Sequence, residues 1–156
     1  MDFSLSADIV ELRERTERFV RDEMIPREND KRLGHHGPSE DFRRELVELV
    51  RAAADLDATM DKHPATPAEV LPARELLADL LLAINDSAAA LKEYELSLKS
   101  EPNRFRSILG KARAAQQSGD MATARDAYQK LLALSSQADA DRPERSEAKA
   151  FLSKNI

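Results

Sequence analysis

Apolar residues along the chain recur mostly at intervals of three and four, the spacing that lines one face of a helix. Leu5, Ile9, Leu12, Phe19 and Val20 follow this period, with Ser6 placed as a cap and Asp8 in the first turn, so a first helix is predicted as far as Met24. Pro26 is expected to stop it. The polar segment Arg27 to Pro38, with Gly34 and Gly37 and no apolar period, is expected to be a loop. From Ser39 the stripe Phe42, Leu46, Leu49, Val50, Ala53, Leu56 and Met60 predicts a second long helix ending near Asp61, closed by Pro64.

The next start signal is Thr66-Pro67-Ala68-Glu69, a capping box in which Thr66 and Glu69 satisfy each other's backbone donors. Pro72 lies too far beyond that cap for a first turn, so the box is assigned to a short turn ahead of the main helix of Leu76, Leu77, Leu80 and Ile84. Asn85-Asp86 breaks the pattern. Ala90, Leu91, Tyr94 and Leu98 then continue a helix up to Pro102, and the following pair of helices is separated by Gly119-Asp120. A polar linker after Ser135 leads to Asp141-Arg142-Pro143-Glu144 and a terminal helix with Ala148, Phe151 and Leu152 on one face.

Shifting the chain by 34 residues superposes Ala78 on Ala112, Asp86 on Asp120, Ala88 on Ala122, Ala90 on Ala124, Tyr94 on Tyr128 and Leu98 on Leu132. Small residues at 78, 90, 112 and 124 suit close helix approach, and the rings at 94 and 128 suit a buried packing position. On these residues, and on Pro102 closing the first unit, the stretch from about 71 to 136 resembles two tetratricopeptide repeats. Arg74 and Ile108 stand at the family's tryptophan position, Lys111 where it usually has leucine, and Ser136 in place of the second proline. The resemblance implies an all-α fold: antiparallel helix pairs of a short α-solenoid, a carboxy-terminal capping helix and two amino-terminal helices, one of which, from Ser39 to Asp61, would cover the other end. The expected domains are 1–62 and 63–156.

The amino-terminal third carries a second likeness. Asp2-Phe3-Ser4-Leu5-Ser6, Leu12-Arg13-Glu14-Arg15, Phe19-Val20, Ile25-Pro26, His36-Gly37-Pro38-Ser39 and Arg43-Arg44-Glu45-Leu46 make residues 1 to about 53 similar to the opening of an acyl-CoA dehydrogenase. That implies the first helices of a helical domain. The family's flavin-binding β-domain and catalytic carboxylate have no counterpart here, so no dehydrogenase residue carries over.

Composition narrows the function classes. The 24 basic residues are interspersed among 29 acidic ones, for a net charge of −5 and a pI near 5.3, which disfavours nucleic acid as a ligand. The absence of cysteine removes thiol chemistry and suits a reducing compartment, and the first residues offer neither a basic nor an apolar signal region. The longest apolar stretch, Leu76 to Ile84, contains Asp79 and is far shorter than the roughly 20 residues a membrane helix needs. A cytoplasmic protein without a membrane span is expected. Four glycines, no tryptophan and abundant Ala, Leu, Glu and Arg agree with helix.

On a repeat scaffold the first helix of each pair lines the concave face. Glu75, Asp79 and Leu82 would then stand beside Arg106, Arg113 and Gln116, forming a mixed-charge groove for an extended or helical peptide. Chaperone-tail-binding members of the family use lysine and asparagine where Glu75 and Asp79 stand, so that recognition mode is not expected. His35 and His36 are adjacent, and adjacent side chains diverge, so a metal shared with Glu40 or Asp41 is disfavoured; His63 reads as a helix-end cation. Asp57 and Asp61 share a helix face, yet paired carboxylates do acid–base chemistry only in a dry pocket. There is no glycine-rich phosphate loop, nucleophile elbow or HExxH motif. The expectation is a non-catalytic protein-binding module with no cofactor and no metal, its protein or peptide partner unidentified. The alternatives are a structural protein that forms a homo-oligomer through Leu5–Met24 and Phe42–Met60, or a rearranged fragment with residual weak flavin or acyl-CoA binding and no dehydrogenase activity.

Overall fold

The computed structural model describes residues 6–35, 37–59, 71–138 and 142–154. The fold is all-α. By compactness the chain divides into Met1–Phe42 and Arg43–Ile156, with the division near the start of one long helix. The expected boundary at 62/63 lies outside the described residues, as do His36, Met60, Asp61, His63, the Thr66–Glu69 capping box and Asp141.

In the first unit, α1 spans Ala7–Phe19 and continues through a π-helical turn, Val20–Met24, into the short α2, Ile25–Glu28. Ser6 occupies the N-cap and its carbonyl accepts from the Val10 N–H, but its hydroxyl makes no capping bond. Pro26 does not end the helix. The chain widens just before it, so that the Ile25 N–H bonds the Val20 carbonyl, and the proline enters at the start of α2, where a missing N–H costs little. The segment read as a loop contains a minimal antiparallel pair, β1 Leu33–Gly34 with β2 Gly37–Pro38, turned by Gly37 at φ 96°. The Arg32 guanidinium stacks 4.6 Å from the centre of the Phe42 ring. Ile9, Phe19, Val20, Met24 and Ile25 are exposed.

The second unit holds most of α3 (Glu40–Asp57), then α4 (Ala73–Ala83), α5 (Ser87–Ser100), α6 (Phe105–Ser118), α7 (Met121–Leu134) and α8 (Pro143–Lys154). Pro72 is the N-cap of α4, its extended backbone presenting the carbonyl that accepts from the Leu76 N–H. Consecutive helices from α4 to α8 pack against one another. The two connections within pairs are built alike. Asn85 (φ 64°) and Gly119 (φ 85°) take the left-handed conformation that reverses the chain, and the next residue caps the following helix: Asp86 accepts from the Ala89 N–H at 3.1 Å and Asp120 from the Thr123 N–H at 3.0 Å.

Two apolar clusters fill this unit. Val47 and Ala54 of α3 join Leu77, Ala78, Leu81, Ala90, Tyr94 and Ala114, while Ala148 and Phe151 of α8 join Ile108, Ala112, Ala124, Tyr128 and Leu131. The residue pairs 78/112, 90/124 and 94/128 are all fully or almost fully buried. The inward face of α3 is rotated from the predicted stripe: Leu49 and Leu56 point to solvent, and Val47, Val50 and Ala54 face the core. Two ion pairs accompany this rotation, Arg51 to Glu93 at 3.8 Å and Arg74 to Asp55 at 2.9 Å, with Arg74 also 3.0 Å from Glu93.

Gly110 sets the approach of α5 to α6. A Cβ placed there would fall 2.2 Å from the Tyr94 ring. Alanine normally gains roughly 1 kcal/mol over glycine inside a helix, so the helical preference and the packing oppose each other. The collision is with the body of a buried ring, which has no room to turn, and packing wins. Gly110→Ala is expected to lower stability by about 1–3 kcal/mol, read as a lower urea midpoint; wild-type stability would show that the ring can yield.

Candidate functional site

The N-terminal half of α6 is positioned by a buried carboxylate. Glu75 is 0% exposed, and it accepts from Arg104 Nε and Nη2 at 2.7 and 3.1 Å and from the Ser107 hydroxyl, which is itself paired with Ser97 at 3.1 Å. Arg106 Nε lies 3.4 Å from the same group. A carboxylate removed from water needs such partners to be tolerated. Glu75 therefore ties α4 to α6 and is not available to a ligand, which corrects its expected place on the groove surface. Sequence gave no sign of this: an acid in the first turn of a helix reads as a solvated dipole partner.

One turn along α4, Asp79 meets α5 and α6. Its Oδ1 accepts from the Tyr94 hydroxyl at 2.5 Å and its Oδ2 from Arg106 Nη2 at 2.6 Å. A matching cluster joins α6 to α7 and α8: Glu147 accepts from Arg113 Nε and Nη2 at 2.8 and 2.6 Å and from the Tyr128 hydroxyl at 2.9 Å. Gln116 lies 3.1 Å from that hydroxyl. Each cluster is a tyrosine, an acid and an arginine, and the tyrosines are 34 positions apart. Burial pushes both phenols well above their ordinary range, and the neighbouring acids Asp79 and Glu147 push them further, so both remain neutral donors.

Between the clusters lies a cleft of about 600 Å³, lined by Asp79, Leu82, Ala83, Tyr94, Arg106, Leu109, Gly110, Arg113 and Glu144. It brings together Asp79, Leu82, Arg106 and Arg113 of the expected groove. Gln116 instead lines an adjoining hollow with Met121, Glu147 and Phe151. Tyr94, Gly110 and Glu144 had no signal as cleft residues in the sequence; the 34-residue shift marks Tyr94 only as a packing residue. Among the described residues no three or more His, Asp or Glu side chains are gathered as a metal would require, and no helix is long and apolar enough to cross a membrane. His35 is exposed at the turn of the small β pair.

Removing Arg104 leaves Glu75 buried with its strongest partner gone. Arg104→Met is expected to destabilise by about 3–5 kcal/mol, and Glu75→Leu/Arg104→Met to recover much of that loss; thermal melts of both variants check it, and equal melting temperatures for wild type and the single variant would refute it. Glu147 gives a pH signature. Arg113, with help from Tyr128, holds its carboxyl below the ordinary value of 4.5, against the opposing effect of burial. A depressed carboxyl stabilises the fold fully above its unfolded-state value, and the contribution drains away as pH falls through the folded one. The stability gap between wild type and Glu147→Gln should therefore be widest near neutrality and close below about pH 4.5, as followed by urea melts across that range; a gap independent of pH would dismiss the pairing as a source of stability.

Comparison of the chain with protein-family models, curated proteins and solved structures finds no match.

Proposed function

We propose that this chain is a non-catalytic protein–protein interaction module, holding a peptide segment of its partner in the cleft between α4, α6 and α8, on a short tetratricopeptide-like helical array. The observation that carries the reading is the cleft itself, which gathers Asp79, Leu82, Arg106 and Arg113 from two helices that are the first members of successive pairs. The repeated left-handed residue and aspartate cap, 34 positions apart, support the array. Helices of this kind offer a rigid wall, apolar at Leu82 and Leu109 and polar at its margins, and a peptide can lie on such a wall without reorganising it. Recognition, not chemistry, suits Asp79, whose two oxygens are engaged by tyrosine and arginine, because a carboxylate so held is a poor base.

Selection from a random peptide display on the immobilised protein tests this. Ala83 is exposed at the cleft wall, so Ala83→Trp fills the cleft and leaves the core intact. Peptides are expected to be enriched by wild type and lost with Ala83→Trp, whose circular dichroism and melting match wild type. Failure to enrich any peptide, or enrichment indifferent to the tryptophan, would sink the cleft as a binding site.

A further inference from the structure

The sides of α1 are open to solvent: among its described side chains only Val10 is even half-buried. Ile9, Thr16 and Val20 form a row down one side and, with Ile25 beyond them, line a shallow hollow of about 690 Å³. Ile25 belongs to it because of the π-helical turn. Five residues of straight α-helix would carry it roughly 140° around from Val20, and the wider turn over Val20–Met24 brings it back toward the row. A continuous exposed row of this kind marks a contact surface.

Charge indicates what covers it. Arg13 and Glu17 line the same hollow, 3.6 Å apart. Positions 9, 13, 16 and 20 are spaced four, three and four, a pattern that reads the same from either end. A second copy of the helix laid antiparallel therefore sets Ile9 against Val20 of that copy, and Arg13 beside its Thr16 and Glu17, so that each arginine meets a glutamate from both chains. A parallel copy would set arginine on arginine and glutamate on glutamate, which repel. An anionic bilayer is a poorer cover. Ala7–Glu28 carries seven acids and five arginines, whereas helices that lie on such membranes are rich in basic residues.

We propose that α1 is a homodimerisation helix: two copies of this chain pair antiparallel along it, Ile9 of each against Val20 of the other, about a two-fold axis between positions 14 and 15 that is flanked by the Arg13 and Glu17 pairs. A two-fold contact uses the same surface on both chains and closes on itself, so pairing stops at two. The arrangement uses none of the cleft residues and stands apart from the peptide-binding reading.

Sedimentation equilibrium of the full chain is expected to show a monomer–dimer equilibrium. Val20→Lys should raise its dissociation constant at least about tenfold, with helical circular dichroism retained because lysine favours helix more than valine does. Glu17→Arg, which gathers four arginines at the axis, should weaken the dimer similarly, and Arg13→Glu/Glu17→Arg should restore it, which a loss of folding would not allow. Crosslinking reads the orientation. The chain has no cysteine, so Ile9→Cys and Val20→Cys each carry a single thiol. Oxidised together they should give the mixed disulfide between positions 9 and 20, and either variant alone should give little, because its two thiols lie too far apart. A monomer at every concentration overturns the proposal, and one that instead sediments with phosphatidylcholine–phosphatidylserine vesicles assigns the row to a bilayer. A dimer indifferent to Val20→Lys also overturns it, since the contact then lies elsewhere. Disulfides formed as readily by each variant alone overturn the antiparallel arrangement.

Discussion

A carboxylate fully withdrawn from water cannot be left unpaired, and the demands of Glu75 organise the centre of the second unit. Its partners all come from the start of α6 and the residue just before it, so satisfying the charge fixes both the distance and the rotation of α6 relative to α4. Arg104 and Ser107 turn inward to reach it, and in a helix the positions one turn on from the inward ones are inward too, as burial of Ile108, Ala112 and Ala115 shows. Arg106 and Arg113 then fall on the margin of that buried face, at the cleft. The site is a consequence of how the core satisfies one acid.

The second constraint is steric. Tyr94 reaches Asp79 only because its ring passes over Gly110 with no side chain in between. Its counterpart Tyr128 uses a different device, leaning on Phe151 of α8 with ring centres 4.8 Å apart while its hydroxyl reaches Glu147. The same residue at the same repeat position is thus completed by a following pair in one case and by a terminal helix in the other. The two clusters thus match in chemistry although Tyr94 takes its acid from the preceding helix and Tyr128 from the following one, Asp79 and Glu147 standing 68 positions, two shifts of 34, apart.

Periodic features were legible in the sequence because they depend on short-range geometry. Alanines at 78, 90, 112 and 124, the tyrosines, and the turns at Asn85-Asp86 and Gly119-Asp120 could be placed from spacing alone, and the structure buries or caps with them as that spacing implies. What escaped depends on tertiary context. The face of α3 carries apolar residues over a wide arc, and its rotation is accompanied by pairing of Arg51 and Asp55 with Glu93 and Arg74, partners distant in sequence. Pro26 reads locally as a stop, but a widened turn ahead of it lets the helix pass. Glu75 and Asp79 look alike, two acids four apart on one helix, yet one lies in the core and the other at the cleft; their partners separate them, Arg104 and Ser107 for Glu75 and Tyr94 and Arg106 for Asp79.

That difference bears on what kind of surface the cleft is. Arginine–carboxylate pairs on an open surface contribute little to stability, because both groups are as well served by water. Here each acid is also held by a neutral buried phenol, which fixes it from behind and limits the ways the arginine can reorient. An arginine restrained in this way has less freedom left to lose than one free in solvent. With Asp79 and Glu144 set against Arg106 and Arg113, the lining of the cleft carries no net charge.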